Sequence, residues 1–471
     1  MNKSSGQSSI QFIIPLVMLL VLMLGLAYVI PNLTTTQTLA IGGGVVVFII
    51  CLASTEAALY ILIFSMLLSP EFIVGTTEGD SLGRGVTLRV DDFVILLIGF
   101  SWLAKMAINR GLGLFLRTPL NKLIAYYMIA CLVSTLLGSL FLKVDLKTGF
   151  FYILKYFQYM FIYFMVANQL KTEKQAKNYL WALLITCAIV SFLGLVQAVE
   201  GGRVSAPFEG EIGEPNTFGG YLVFMISITT GLLLTTTSLG LRLIYGSMAL
   251  LFIVPLLFTQ SRSSYLALVL AGMVFLWLSE KRRMVLIAFI LAGLLFPFVA
   301  PDVVTERVGF TFTQREQRGQ IKVGGARIDT STAARLHSMA NVSRDFVKHP
   351  VLGYGVTGYG FLDAQYFKVL IETGLIGLFL FLVLLSGIFR LTYHNIKEAT
   401  EPFDRGLSMG FMAGFIGLLV HAVGANTFII VRIMEPFWFV LAIVIMMPKL
   451  EAKTPKASGV ESIGHDKKRI R

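Results

Sequence analysis

The chain has 471 residues, of which 56% are hydrophobic and 14% charged, with a formal net charge of +12 and a mean hydropathy of +0.77. So apolar a composition at this length excludes a soluble globular protein. The apolar runs are continuous rather than alternating and recur near the ~20 residues needed to cross a hydrocarbon core, so the expected fold class is an all-α polytopic membrane protein and not a β-barrel.

The first run, 10–30, follows Lys3 as a signal sequence would. It is long for such a segment and lacks a small-x-small cleavage site, so it reads as a retained first helix. Further spans are expected at roughly 38–54, 56–69, 91–109, 119–141, 149–168, 176–199, 217–236, 241–258, 263–279, 284–300, 364–391, 405–425 and 428–447. That is about fourteen crossings, or about twelve if the short second and third form one bent element. The chain thus divides into N-terminal transmembrane helices (1–300), one large outer loop (301–363), C-terminal transmembrane helices (364–448) and a basic tail (449–471). Cys51, Cys131 and Cys187 all lie in apolar runs and read as packing residues, with neither a disulfide framework nor metal-ligand spacing.

Orientation follows from the basic residues that flank the spans. Lys105, Arg110, Arg117 and Lys122 share one connection; Lys171, Lys174 and Lys177 a second; Lys281, Arg282 and Arg283 a third; Arg390, Lys397 and Arg405 a fourth. These connections fall on one side, expected to be cytoplasmic, with both termini. The positive charge is therefore read as orientation signal and attraction to anionic lipid headgroups, not as a nucleic-acid footprint.

The opposite, outer connections carry the unusual chemistry. In 200–216, Arg203 is the single base among Glu209, Glu211 and Glu214, followed by Pro215-Asn216. It reads either as an ion-pair partner of those glutamates or as a guanidinium that reaches a phosphate or sugar. Glu209 and Glu211 also have the spacing of a weak divalent-cation site, with solvated carboxylates as the plainer reading. Thr259-Gln260-Ser261-Arg262-Ser263-Ser264 places an arginine among hydroxyls between two apolar helices. Such an arginine either snorkels to the interface or lines a cavity and grips a phosphate or pyrophosphate.

The loop from Pro301 to Asp363 is rich in arginine and lysine against the usual bias, and its length marks it as functional or disordered. Within it, Asp329 to Lys348 reads as an amphipathic helix with Asp329 to Thr332 as N-cap candidates. At about 100° per residue, Leu336, Met339, Ala340, Ser343, Phe346 and Val347 form the expected apolar stripe. Arg335 lies at its edge and His337 on the opposite face. His349 stands in His349-Pro350-Val351-Leu352-Gly353-Tyr354-Gly355, a glycine-rich run expected to fold over a ligand or to be a structural turn. Asp363 precedes the next span as an N-cap or as a functional carboxylate. Lys368 and Glu372 have i,i+4 spacing and read as an ion pair. Arg432, Glu435 and His421 are candidates to line the same cavity.

Taken together, these pieces resemble the bacterial O-antigen ligase and O-antigen/exopolysaccharide polymerase superfamily. The resemblance rests on Arg203 with Pro215-Asn216, on Ser261-Arg262-Ser263, on Arg335 with His349-Pro350-Val351-Leu352-Gly353-Tyr354-Gly355, and on Tyr366 through Glu372-Thr373-Gly374-Leu375-Ile376-Gly377. It implies a GT-C-like, inverting, metal-independent membrane glycosyltransferase without cofactor. The donor would be a glycan on undecaprenyl pyrophosphate, and the acceptor a hydroxyl of another glycan or of lipid A core. Arg203, Arg262 and Arg335, with Ser261, Ser263, Asn216 and Glu372, would bind pyrophosphate and glycan, and Asp363 or His349 would take the acceptor proton. The setting implied is the bacterial inner membrane, with a chain-length regulator as a candidate partner.

One position departs from the family pattern. Ligase-like members typically carry a histidine nine residues before the glutamate of E-x-G-x-x-G, and here that position is Asp363. The aspartate looks more like exopolysaccharide polymerase relatives, so polymerase is the preferred reading and ligase the alternative. A lipid-linked oligosaccharide flippase is a third, disfavoured by the arginine-bearing outer loop and by the lack of a convincing internal repeat.

Overall fold

The structure is a computed structural model and describes residues 35–73, 87–108, 118–141, 144–209, 213–299, 305, 321–323, 326–360 and 362–451. The expected helix at 10–30, Glu211, most of 301–320 and the basic tail beyond 451 lie outside the described residues. Membrane-type helices dominate: α1 (Thr35–Ala53), α2 (Thr55–Leu68), α3 (Val90–Ile108), α4 (Asn121–Phe141), α5 (Leu146–Gln169), α6 (Glu173–Glu200), α7 (Pro215–Thr235), α8 (Leu239–Phe258), α9 (Arg262–Leu278), α10 (Arg282–Val299), α12 (Gln365–Glu398), α13 (Pro402–His421) and α14 (Val431–Glu451). The segment between α10 and α12 contributes α11 (Thr330–Asp345). Two short antiparallel ribbons join β1 (Glu71–Ile73) to β2 (Thr87–Arg89) and β3 (Ile321–Val323) to β4 (Ala326–Ile328). Among the described residues, eight helices are long and apolar enough to cross a membrane, and three shorter apolar ones accompany them. The chain is an all-α polytopic membrane protein.

The polar hinges between apolar runs terminate the helices by capping their free amides. Ser54, Asp145, Thr172, Ser238 and Ser261 each accept a hydrogen bond from an amide in the first turn of the helix that follows. Pro215 and Pro402 open α7 and α13, where a missing N–H costs nothing. α7 and α14 are the most enclosed of the apolar spans, and α7 packs most extensively against α13. At that crossing Gly231 lies against the backbone of Gly406 and Gly410, so only residues without a large side chain let the helices approach.

The two ends of the bundle differ. At one end the basic connections meet: Arg405 pairs with Glu280 at 2.7 Å, and Lys177 lies 5.0 Å over the ring of Phe403. At the other end the connections α2–α3, α6–α7, α8–α9 and α13–α14 gather with α11 and the start of α12.

Candidate functional site

The start of α12 is built around a break. Gly374 has φ 67° and ψ −168° inside the helix, a conformation open to glycine, and a side chain there would strike the Val351 carbonyl. The backbone groups freed by this break are taken up by the His349–Gly355 run, which lies along it. Tyr354 N donates to Ile371 O at 2.9 Å, Gly355 N to Glu372 O at 2.8 Å, and Leu375 N to Pro350 O at 2.9 Å. Ser134 of α4 fastens the same spot, its one hydroxyl proton shared between Leu352 O and Glu372 O, 2.5 and 2.6 Å from Oγ. The two glycine-containing motifs are therefore halves of one clasp, and the His349–Gly355 run is pinned to α12 instead of folding freely over a ligand. Glu372 serves this clasp: 3% exposed, it pairs with Lys368 at 2.9 Å and accepts from Thr357 N at 3.0 Å.

The clasp carries α11. Val342 is fully buried and joins Leu362, Ala364 and Ile371 in a small apolar cluster, with Met339 and Phe346 packed against it. The expected stripe is thus corrected by a rotation: Leu336 and Val347 are exposed, and the docked face runs through Met339, Val342 and Phe346. The cause is that α11 lies against residues 362–371 and not broadly on the bilayer side. The rotation brings Arg335 inward, where Nη2 and Nε donate to Asp363 Oδ2 at 2.8 and 3.3 Å. His337 is exposed, as its helical position predicts.

Arg262 begins α9 beside the same region and is held by Asp329, the residue before α11. Nη1 donates to Oδ1 at 2.9 Å and Nη2 to Oδ2 at 2.8 Å. Its neighbours fix the turn: Ser261 Oγ donates to Asn216 Oδ1 at 2.7 Å, tying α9 to the first turn of α7, and Ser264 Oγ donates to Ser261 Oγ at 2.8 Å. Gln260 takes a positive φ of 52°, which turns its carbonyl and that of Thr259 toward Arg203; Arg203 Nε and Nη2 donate to them at 3.2 and 3.4 Å.

The α13–α14 turn closes the far side. Gln365 N donates to Ala422 O at 3.0 Å, Asn426 Nδ2 to Leu362 O at 2.7 Å, and a Cβ on Gly424 would lie 2.8 Å from Ser263 Oγ. His421 is fully buried, its Nδ1 bonded to Thr427 Oγ1 at 2.7 Å and its ring against Gly220 of α7. A closed circuit results: Arg262 to Asp329, along α11 to Arg335, to Asp363 and Gln365, to Ala422 and Gly424, and back through Ser263. Arg203 and Asn216 border it through the α8–α9 turn. His349 stands apart, its ring edge-on to Tyr354 with centroids 4.7 Å apart.

Arg432 and Glu435 do not join this circuit. Arg432, 2% exposed, donates to the carbonyls of Leu67, Pro207, Ser69 and Phe208 at 2.9–3.2 Å and pairs with Glu71 and Glu209 at 3.4 and 3.7 Å. Burial pushes the Glu209 carboxyl up to about 7, although the Arg432 charge pulls it down. Glu435 lies with Asp91 and Asp92, which stand where the expected span 91–109 begins. Oxygens of these three carboxylates all lie within 4.8 Å of one another, the one group of three among the described residues with metal-ligand proximity. Protein donors already occupy it: Arg89 reaches Asp91 and Glu435 at 2.5 and 3.6 Å, Ser69 bonds Asp91 at 2.6 Å, Lys155 pairs with Asp92, and Gln158 bridges Asp92 and Glu435 at 2.6 and 3.1 Å. A lysine within the apolar run of α5 was the available signal for this network.

Residues 247–382 match the family model described as O-Antigen ligase. The match takes in Arg262, Arg335, His349, Asp363 and Glu372, and leaves Arg203 and Asn216 outside it. No curated protein matches the chain.

Proposed function

We propose that this protein is a membrane glycosyltransferase that moves a glycan from undecaprenyl pyrophosphate to a sugar hydroxyl, and that it lengthens O-antigen or exopolysaccharide chains. The observation that carries the reading is the circuit joining Arg262, Arg335 and Asp363 at one end of the bundle, within the matched stretch, with Arg203 at its border. Guanidinium groups at the membrane surface suit a pyrophosphate, and positive charge fixed where the leaving group gains its negative charge lowers the barrier.

In the proposed step the acceptor hydroxyl attacks the anomeric carbon as the bond to the diphosphate oxygen breaks. That oxygen leaves with the electron pair, and a single displacement inverts the anomeric configuration. Asp363 accepts the hydroxyl proton; Arg335 holds its Oδ2 and so orients the carboxylate. Because guanidinium charge meets the leaving group, the step needs no metal. The circuit lies opposite the basic connections, so it faces outward from the bacterial inner membrane, with both termini cytoplasmic. A chain-length regulator remains the candidate partner. The matched family's description favours the second reading, transfer to lipid A core.

The test is incubation of purified protein with an undecaprenyl-pyrophosphate oligosaccharide, with and without lipid A core. Self-elongation identifies a polymerase, and transfer only to core a ligase. Arg262→Ala and Arg335→Ala should each abolish extension while the protein still reaches the membrane; long polymer from both variants would exclude the pyrophosphate clamp. Asp363→Asn should remove turnover, and near-normal turnover would move the proton acceptor to His349 or dispense with one.

A further inference from the structure

The two arginine–aspartate pairs of the circuit differ in geometry. Arg335 directs both donors at a single oxygen of Asp363, at 2.8 and 3.3 Å. Arg262 meets Asp329 fork to fork, each terminal nitrogen on its own oxygen at 2.9 and 2.8 Å. The second arrangement is also the one in which a guanidinium grips two oxygens of a phosphate. Asp329 therefore presents to Arg262 what a phosphate would present.

The charges of the circuit bear on the same point. Arg262 with Asp329, Arg335 with Asp363 and Lys368 with Glu372 each sum to zero, so a multiply charged anion gains little from them until a carboxylate withdraws. Arg262 is 22% exposed and open to such an anion, whereas the Asp329 carboxylate is 2% exposed. A carboxylate so buried leans on the cation beside it, so giving up Arg262 favours its movement toward water. It can do so together with the first turn of α11, which carries Thr332, bonded to Asp329 Oδ1 at 2.7 Å, and the fully buried Ala333.

We propose that Asp329 holds, in the substrate-free protein, the place on Arg262 that a phosphate of the donor takes, and that donor binding exchanges one for the other. Asp329 is then a positioning residue: it aims Arg262 before the donor arrives, limits donor affinity and, by returning, helps the pyrophosphate product to leave. The inference rests on the reading of Arg262 as a pyrophosphate ligand.

The probe is inorganic pyrophosphate, titrated calorimetrically into the full-length protein in lipid nanodiscs. Asp329→Asn keeps the shape but removes the competing charge, and should bind pyrophosphate about tenfold tighter than wild type. Unchanged or weaker binding in a folded Asp329→Asn protein overturns the exchange. A second measurement needs no variant. The Ala333 amide, bonded to Asp329 O at 2.9 Å in the first turn of α11, should exchange its hydrogen faster when wild type is saturated with pyrophosphate, and slower or unchanged exchange overturns the proposal. Arg262→Ala separates the two ideas. If it binds pyrophosphate as wild type does, the clamp itself fails; if it loses binding while Asp329→Asn gains none, only the exchange fails.

Discussion

Two charged regions lie at the same end of the bundle and are built from the same residue types, yet they bind their cations in opposite ways. In the circuit, Arg262 and Arg335 are 22% and 25% exposed and each faces one aspartate. In the buried network, Arg432 is 2% exposed and shares its donors among four carbonyls and two glutamates. An arginine tied to backbone from two separate connections cannot trade partners without dismantling both. A part-exposed arginine that meets a carboxylate side chain can, so residue type alone does not separate a strut from an exchangeable group; the exposure of the arginine and the kind of its partners do.

The comparison breaks most visibly if Arg432 is removed. Arg432→Ala strands Glu71 and Glu209 and frees the carbonyls at both connections, so it should destabilise the fold by about 3–5 kcal/mol and reduce the amount of protein in the membrane. Arg335→Ala, by contrast, whose partner Asp363 is itself 20% exposed, should cost about 1 kcal/mol or less and remove activity instead. Equal losses of thermal stability in the two variants would erase the distinction. Gly374→Ala comes next. It forces a side chain into positive φ and against Val351, so roughly 2–3 kcal/mol of stability should be lost, with activity falling because the clasp carries α11. Wild-type melting behaviour in that variant would show the clasp to be dispensable.

The smallest effect concerns Glu209, whose folded carboxyl is raised to about 7 from an ordinary 4.5. Its proton is bound more tightly in the folded state, so the stability it contributes is fully present below pH 4.5 and is lost as pH rises toward 7. From pH 6 to pH 8 that loss should be about 1 kcal/mol, and Glu209→Gln should flatten it. Parallel pH curves for the two proteins would place Glu209 in water and not in the buried network.

The helix positions were legible because span length and polar hinges are local signals: the expected 241–258 and 263–279 are α8 and α9 to within a residue or two. Amphipathic spacing located α11, but its docked face depended on Val342 meeting Leu362 and Ile371, contacts that spacing does not encode. Arg262 was legible as a charge between two apolar helices, Arg335 by its place at the edge of an amphipathic stripe, and Asp363 by its place before a span. Asp329 was visible as a helix start but not as the partner of Arg262, since a pairing across 67 residues leaves no periodic trace. Asp91 and Asp92 stand at the start of an expected span, where water commonly meets a carboxylate; here Arg89, Lys155 and Glu435 enclose them.

The sequence separations within the circuit impose an order of assembly. The clasp closes between Tyr354 and Ile371, a short loop that is cheap to close once α12 has entered the bilayer. Arg335 and Asp363 are 28 residues apart, and Arg262 and Asp329 are 67 apart, with the segment between α10 and α12 still to be made after α9 is in place. During synthesis, therefore, a membrane-inserted and locally folded chain exists before Arg262 has its partner. The circuit is thus completed only after α11 has been made, although its first arginine is in place from α9 onward.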